Sequence, residues 1–230
     1  MMYKIELHLH TKQVSMCSCL YAKELAEGYH KAGYDAVVVT DHYNCDTWDY
    51  LGINPRTASN VLPQFLHGYQ CMKEACAPYG IRVYLGAELR FYENENDYLF
   101  YGFAPDFLRQ PHEIMDLGIV AFSQLVRPDK GVLIQAHPFR KTCVPVTSML
   151  LDGIEVWNGT PCHMHHNHND LALDYANWAG EDFIRTAGSD CHRTEDIGRG
   201  GILSETLPAD SRELAQLLRS GRYQLITTED

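Results

Sequence analysis

Residues 36–42 read Ala36-Val37-Val38-Val39-Thr40-Asp41-His42. A continuous β-branched run has no polar face, so it belongs in a strand covered on both sides, as in a parallel sheet flanked by helices. The run stops abruptly at an acid and an imidazole. The same pattern recurs in both directions along the chain. Upstream, Met2-Tyr3-Lys4-Ile5 leads into Glu6-Leu7-His8-Leu9-His10, a strand whose alternation predicts His8 and His10 on one side and Leu7 and Leu9 on the other. Downstream, residues 82–85 end in Gly86-Ala87-Glu88, and residues 132–136 end in His137-Pro138, where the proline forbids further pairing. Residues 154–157 end in Asn158-Gly159, and residues 183–187 end in Gly188-Ser189-Asp190-Cys191-His192. Residues 98–103 make the remaining strand of seven.

Helical periodicity fills the intervals. It spans residues 22–32 up to Gly33, 62–77 up to Pro78, 114–126 with Gly118 as a weak point, 168–178 and 211–218. Residues 11–20 and 43–60 read as polar loops. Strands alternating with helices predict a parallel α/β fold, closed or nearly closed into a barrel, as one domain over residues 1–230.

Composition agrees with that class and excludes others. The 230 residues are 45% hydrophobic and 21% charged, an ordinary globular balance. No apolar run approaches the roughly 18 residues that span a bilayer, and residues 1–20 show no secretory pattern, so a cytoplasmic protein without a membrane partner is expected. Eight cysteines without a Cys-x-x-Cys pair suggest reduced thiols and no zinc ribbon. The formal charge of −11 argues against a strong nucleic-acid footprint. Oligomeric state is not legible.

The chemistry gathers at one place in the topology. His8, His10, Asp41, His42, Glu88, His137, Asp190 and His192 all lie at or just past the C-terminal end of a predicted strand, which in such barrels is the functional face. Packing would put apolar residues there. Nitrogen and carboxylate donors converging instead predict a centre for Zn, Mn or Fe, with Glu88 able to bridge two ions. Arg140, Arg193 and His192 are the residues expected to act on a reacting phosphate group. Arg90 and His163 join Arg140 and Arg193 as candidate substrate contacts.

On His8-Leu9-His10, Thr40-Asp41-His42, Gly86-Ala87-Glu88, Ala136-His137-Pro138 and Gly188-Ser189-Asp190-Cys191-His192, the sequence resembles the PHP family, the polymerase and histidinol phosphatase group of metal-dependent phosphoesterases. The resemblance covers residues 2 to about 200. It implies a distorted seven-stranded (β/α) barrel of parallel strands with outer helices, holding two to three divalent ions. Carried over by position, His8, His10, Glu88 and Asp190 would hold one ion, Glu88 and His137 a second, and His42 with His192 a third. Ser15-Met16-Cys17-Ser18 and Gly102-Phe103-Ala104 stand where the fullest pattern has further histidines; Cys17 or Asp41 could complete a shell, but a buried or merely solvated Cys17 is the favoured expectation. The implied activity is hydrolysis of a small phosphomonoester by water activated at the ions. Amidohydrolase-type chemistry and a catalytically silent metal-binding module are the rival readings.

Overall fold

The structure, a computed structural model, describes residues 1–126, 131–160 and 166–228. The chain runs through β1 (Tyr3–Leu9), α1 (Ala22–Lys31), β2 (Ala36–Val39), the short β3 (His42–Tyr43) and α2 (Cys45–Tyr50). It continues through α3 (Leu62–Phe65), α4 (His67–Cys76), β4 (Arg82–Arg90), β5 (Asp97–Tyr101), α5 (Pro111–Met115), α6 (Gly118–Val126) and β6 (Val132–Gln135). The last third holds β7 (Gly153–Asn158), α7 (Asn169–Ala179), β8 (Ile184–Gly188), β9 (Gly200–Ser204), α8 (Ser211–Ser220) and β10 (Gln224–Thr227).

The strands form one sheet in the order β10-β9-β1-β2-β4-β5-β6-β7-β8, with β3 beside β4. The runs β1-β2-β4 and β6-β7-β8 are parallel, as the apolar strands predict. The β8 end of the sheet meets β1 where His10 N–H donates to the Cys191 carbonyl at 3.1 Å and Cys191 N–H donates to the His8 carbonyl at 3.2 Å. Gly188 makes this approach possible, because a Cβ there would stand 2.4 Å from His8 Cβ. The result is a distorted, nearly closed mixed barrel surrounded by helices.

Several expectations need correction, the loop over 43–60 among them, since it holds the end of β3 and helix α2. Strand β5 is antiparallel to both β4 and β6, not parallel. Residues 91–96 are all that lie between β4 and β5, whereas a parallel crossover needs about a dozen residues or more, so the chain returns as a hairpin. Strands β9 and β10, absent from the sequence reading, extend the sheet antiparallel beyond β1. The helix expected over 114–126 is two, broken at Gly118, whose φ of +67° suits glycine. There Glu93 accepts the Ile119 N–H at 2.8 Å and starts α6.

Inside the barrel Ile5, Leu7, Val38, Tyr84, Leu99, Tyr101 and Ile134 pack with Leu214, Leu217 and Leu218 of α8. Helix α8 thereby stoppers the end opposite the strand tips, and burying each of those leucines contributes about 1.5–3 kcal/mol. A second layer, with Leu9, Val37, Val39, Leu25, Tyr29 and Met72, seats α1 and α4 against β1 and β2. The interior is thus filled with side chains, and most of its polar groups gather toward the tips of the strands. Among the described residues no helix is long and apolar enough to cross a membrane.

Candidate metal centre

The centre begins with an irregularity in β1. Its register with β2 passes from Glu6 opposite Val37 to Leu9 opposite Val39, so one extra residue is accommodated in β1 as a bulge. Glu6 stabilises the bulge from its own side chain, accepting the N–H groups of Leu7 at 3.0 Å and His8 at 2.9 Å. It also accepts the Ser189 N–H at 2.9 Å, the Tyr29 hydroxyl at 3.0 Å and the Ser189 hydroxyl. The expected pairing of Leu7 with Leu9 on one face therefore fails: Leu7 packs inside the barrel and Leu9 in the outer layer. The bulge re-aims the strand end, and His8 and His10 meet with their Nε2 atoms 3.1 Å apart.

Glu88 is the hub. Its carboxylate, fully buried, has His8 Nε2 and His10 Nε2 at 3.3 Å, His137 Nε2 at 3.1 Å and His42 Nδ1 at 2.8 Å. Asp190 Oδ1 closes the ring at 3.4 Å from His8 Nε2 and 3.2 Å from His10 Nε2. Two of these ligand positions are strained. His137, at φ +27°, and Asp190, at φ +50°, occupy the left-handed region that side chains other than glycine avoid. His137 does so immediately before a proline, and it is held there by its N–H donating to Glu155 Oε2 at 2.9 Å.

The donor set fits metal ions. Within 4.8 Å of one another lie the donor atoms of three groups, His8-His10-Glu88, His10-His42-His192 and His42-Glu88-Asp97. His42 Nδ1 and Glu88 Oε2 face each other without making a hydrogen bond. A buried polar atom left unpaired costs about 1–3 kcal/mol, and a cation coordinated by both would remove that cost. Nitrogen and carboxylate oxygen donors suit Zn, Mn or Fe.

Neighbouring groups orient the ligands. His8 Nδ1 lies 2.9 Å from Glu155 Oε1, so in the neutral ring the hydrogen sits on Nδ1 and the Nε2 lone pair faces the centre. His192 Nδ1 donates to the Asp190 carbonyl at 2.7 Å, which turns its Nε2 lone pair outward toward Cys17. Asp190 Oδ2 accepts from Arg140 at 2.6 Å and from Asn158 at 3.1 Å, leaving Oδ1 to face the histidines. The charges follow from this arrangement. Burial opposes ionisation of the Asp190 carboxyl, but His8, Arg140 and His192 outweigh it and hold the group well below the usual carboxylate range. Burial, with His42 and His192 beside it, pushes His10 well below the usual imidazole range.

Seven of the eight expected ligands thus come together. The eighth, Asp41, is turned away: it accepts Thr11 N–H at 2.7 Å, the Thr11 hydroxyl at 2.8 Å and the Ser15 hydroxyl at 2.8 Å. Its task is to shape the turn after β1, and Ser15 in turn accepts the His42 N–H at 3.1 Å. Arg140 lies at the site but is engaged with Asp190, Asn158 and Asn167. Arg90 is engaged too, by Asp97 at 2.8 and 2.7 Å. Arg193 is exposed in the turn after His192. His163 lies outside the described residues.

Asp97, Glu155 and Glu6 were not among the expected site residues. Asp97 was hidden by the direction of β5, whose beginning, not its end, reaches the functional face. Glu155 carried a signal, since an acid inside the buried strand 154–157 requires a partner.

The fold is shared with solved structures. A two-domain protein of Bacteroides vulgatus containing a predicted PHP-like metal-dependent phosphoesterase has a TM-score of 0.70 at 14% identity, over 99% of this chain and 65% of that one. The chain therefore spans just under two thirds of that protein's length. PsfC of Pseudomonas syringae has a TM-score of 0.64 at 18% identity, over 99% and 92% of the two chains. An amidohydrolase from Chromobacterium violaceum, with bound sulfate and no metal, has a TM-score of 0.51 at 14% identity, over 96% and 97%. No curated protein matches the sequence. Residues 6–184 match the PHP domain, and with that match the chain belongs to the PHP domain family.

Proposed function

We propose that the chain is a metal-dependent phosphoesterase that hydrolyses a small phosphomonoester such as histidinol phosphate or a nucleotide phosphate. The observation that carries this reading is Glu88, a buried carboxylate within 3.3 Å of four imidazoles from three different strand ends. His8, His10, Glu88 and Asp190 would hold one ion, Glu88 and His137 a second, and His42 with His192 a third. Divalent ions supply Lewis acidity, polarising a phosphoryl oxygen and lowering the pKa of water toward ~7.

The chain's own residues do the rest. Arg140 and Asn158 fix the Asp190 carboxylate so that one oxygen stays available to the centre. Arg193, exposed next to His192, would meet the outer oxygens of a phosphate, while His192 stands with its Nε2 lone pair outward. The engagement of Arg90 with Asp97 supports a positioning role for it in place of direct substrate contact.

The test is phosphate release from a panel of phosphomonoesters by protein stripped of metal and reloaded with Zn, Mn or Fe, with N-acyl amides assayed alongside. Phosphate release abolished by chelation and by His8→Ala supports the proposal. Amide hydrolysis without phosphate release would replace it with amidohydrolase chemistry, and inertness of the loaded protein would leave a silent metal-binding module.

A further inference from the structure

We propose that Cys17 is a thiolate ligand, completing with His42 and His192 the third ion position and selecting a borderline-soft divalent cation such as zinc for it. This rests on reading the cluster as a metal centre. The sequence favours a buried or merely solvated Cys17 over a ligand's role, and the geometry argues for the ligand. Its sulfur lies 3.1 Å from His192 Nε2, with the His42 imidazole a close neighbour. His192 Nδ1 is committed to a carbonyl, so the nitrogen facing the sulfur carries the lone pair. Zn–S and Zn–N bonds of about 2.3 and 2.0 Å at a tetrahedral angle set sulfur and nitrogen roughly 3.5 Å apart, close to the spacing observed.

A second observation points to a cation beside the His42 ring. Glu88 Oε2, fully buried, faces His42 Nδ1 at 2.8 Å, and neither atom has a hydrogen-bond partner. His10 stacks on His42 with ring centroids 4.2 Å apart and lies 4.5 Å from the His192 ring, fixing both imidazoles. Three protein ligands leave a fourth position open, the arrangement of catalytic zinc sites. Thiolate favours zinc over manganese or magnesium, whereas Glu88 and Asp190 give the other positions a harder donor set. On coordination the Cys17 S–H bond breaks, sulfur keeps the electron pair for the ion, and the proton leaves to solvent.

The experiment loads the full chain, stripped of metal, with Co(II) and records its near-ultraviolet and visible absorption, with bound cobalt per chain measured in parallel. The native sequence is expected to show a thiolate-to-cobalt charge-transfer band. Cys17→Ser should lose the band entirely and one ion per chain, while Cys17→His should recover the ion without the band. Circular dichroism confirms that each variant is folded, which the exposed position of Cys17 favours. A band that survives in Cys17→Ser overturns the proposal and transfers the role to another thiol, such as Cys143, 3.7 Å from His137 Nδ1. Visible cobalt bands without charge transfer in the native protein overturn it while leaving the metal centre standing. Failure to bind cobalt at all overturns both.

Discussion

Replacing Glu155 by glutamine preserves the shape of the side chain and removes one acceptor. Glu155 takes three hydrogen bonds, from His8 Nδ1, the His137 N–H and the Asn158 amide, each at 2.9 Å. Glutamine has a single acceptor oxygen and an NH2 that only donates. With the oxygen toward His137 and Asn158, the NH2 faces His8 Nδ1, which must then accept. The ring hydrogen moves to Nε2, the atom 3.3 Å from Glu88 and 3.4 Å from Asp190, and its lone pair is lost to any ion. With the amide reversed, the NH2 meets two other donors, and each buried clash costs about 1–3 kcal/mol. Asn158 cannot relieve this by flipping, because its Oδ1 already accepts from Arg140, Thr160 and Asn167. Loss of such an orienting partner typically weakens metal affinity about 10- to 100-fold, or about 1.4–2.8 kcal/mol. Zinc titrated in competition with a chromophoric chelator measures the first term, and thermal unfolding of the metal-free variant measures the second. Affinity within about twofold of the native protein, together with an unchanged melting temperature, would refute the reasoning.

Three further outcomes follow from the same geometry. Glu6→Ala should remove at least ~3 kcal/mol of stability, because the buried N–H groups of Leu7, His8 and Ser189 lose their acceptor; chemical denaturation giving a loss below ~1 kcal/mol would contradict the clasp assigned to Glu6. Gly188→Ala should cost about 1–3 kcal/mol and weaken zinc binding, since the new Cβ would stand 2.4 Å from His8 Cβ and 2.9 Å from Glu155 Oε1; an unperturbed metal titration would show that the strands separate freely. Burial disfavours protonation of His8, but Asp190, Glu155 and Glu88 outweigh it and raise the imidazole well above its usual range. That ion pairing stabilises the metal-free protein fully below the ordinary imidazole pKa and is lost as pH rises through the raised one. Ions must displace the same proton, so melting of chelated and loaded protein should diverge with rising pH, the loaded form gaining; parallel curves would reject this.

The sequence made most of the barrel legible because an acid or imidazole straight after a buried apolar run has no packing rationale, and His8, His10, His42, Glu88, His137, Asp190 and His192 all follow such runs. Direction was harder to read. Residues 97–101 look the same traversed either way, and only the shortness of 91–96 reveals that β5 turns back. Asp97 consequently lies at the end opposite the one that a parallel strand would present, which is Gly102-Phe103-Ala104. The bulge at residues 6–9 is a matter of register between two strands and leaves no mark in either alone. Asp41 has the same type and position as a ligand, and only the Thr11 and Ser15 hydroxyls distinguish it, from a loop whose course periodicity does not define. Strand β9 opens with Gly200 and Gly201, which weaken its apolar pattern.

The seam where His8 and His10 meet residue 191 joins two segments almost a full chain length apart. During synthesis, the first histidines emerge long before Asp190 and His192 exist, so the ion positions that need either of those two stay incomplete in a growing chain. Ion capture is therefore a late event, reporting that both extremities have found each other. Once captured, a cation tethered to both acts like a staple across a very long loop, and its release would loosen the whole circumference at once.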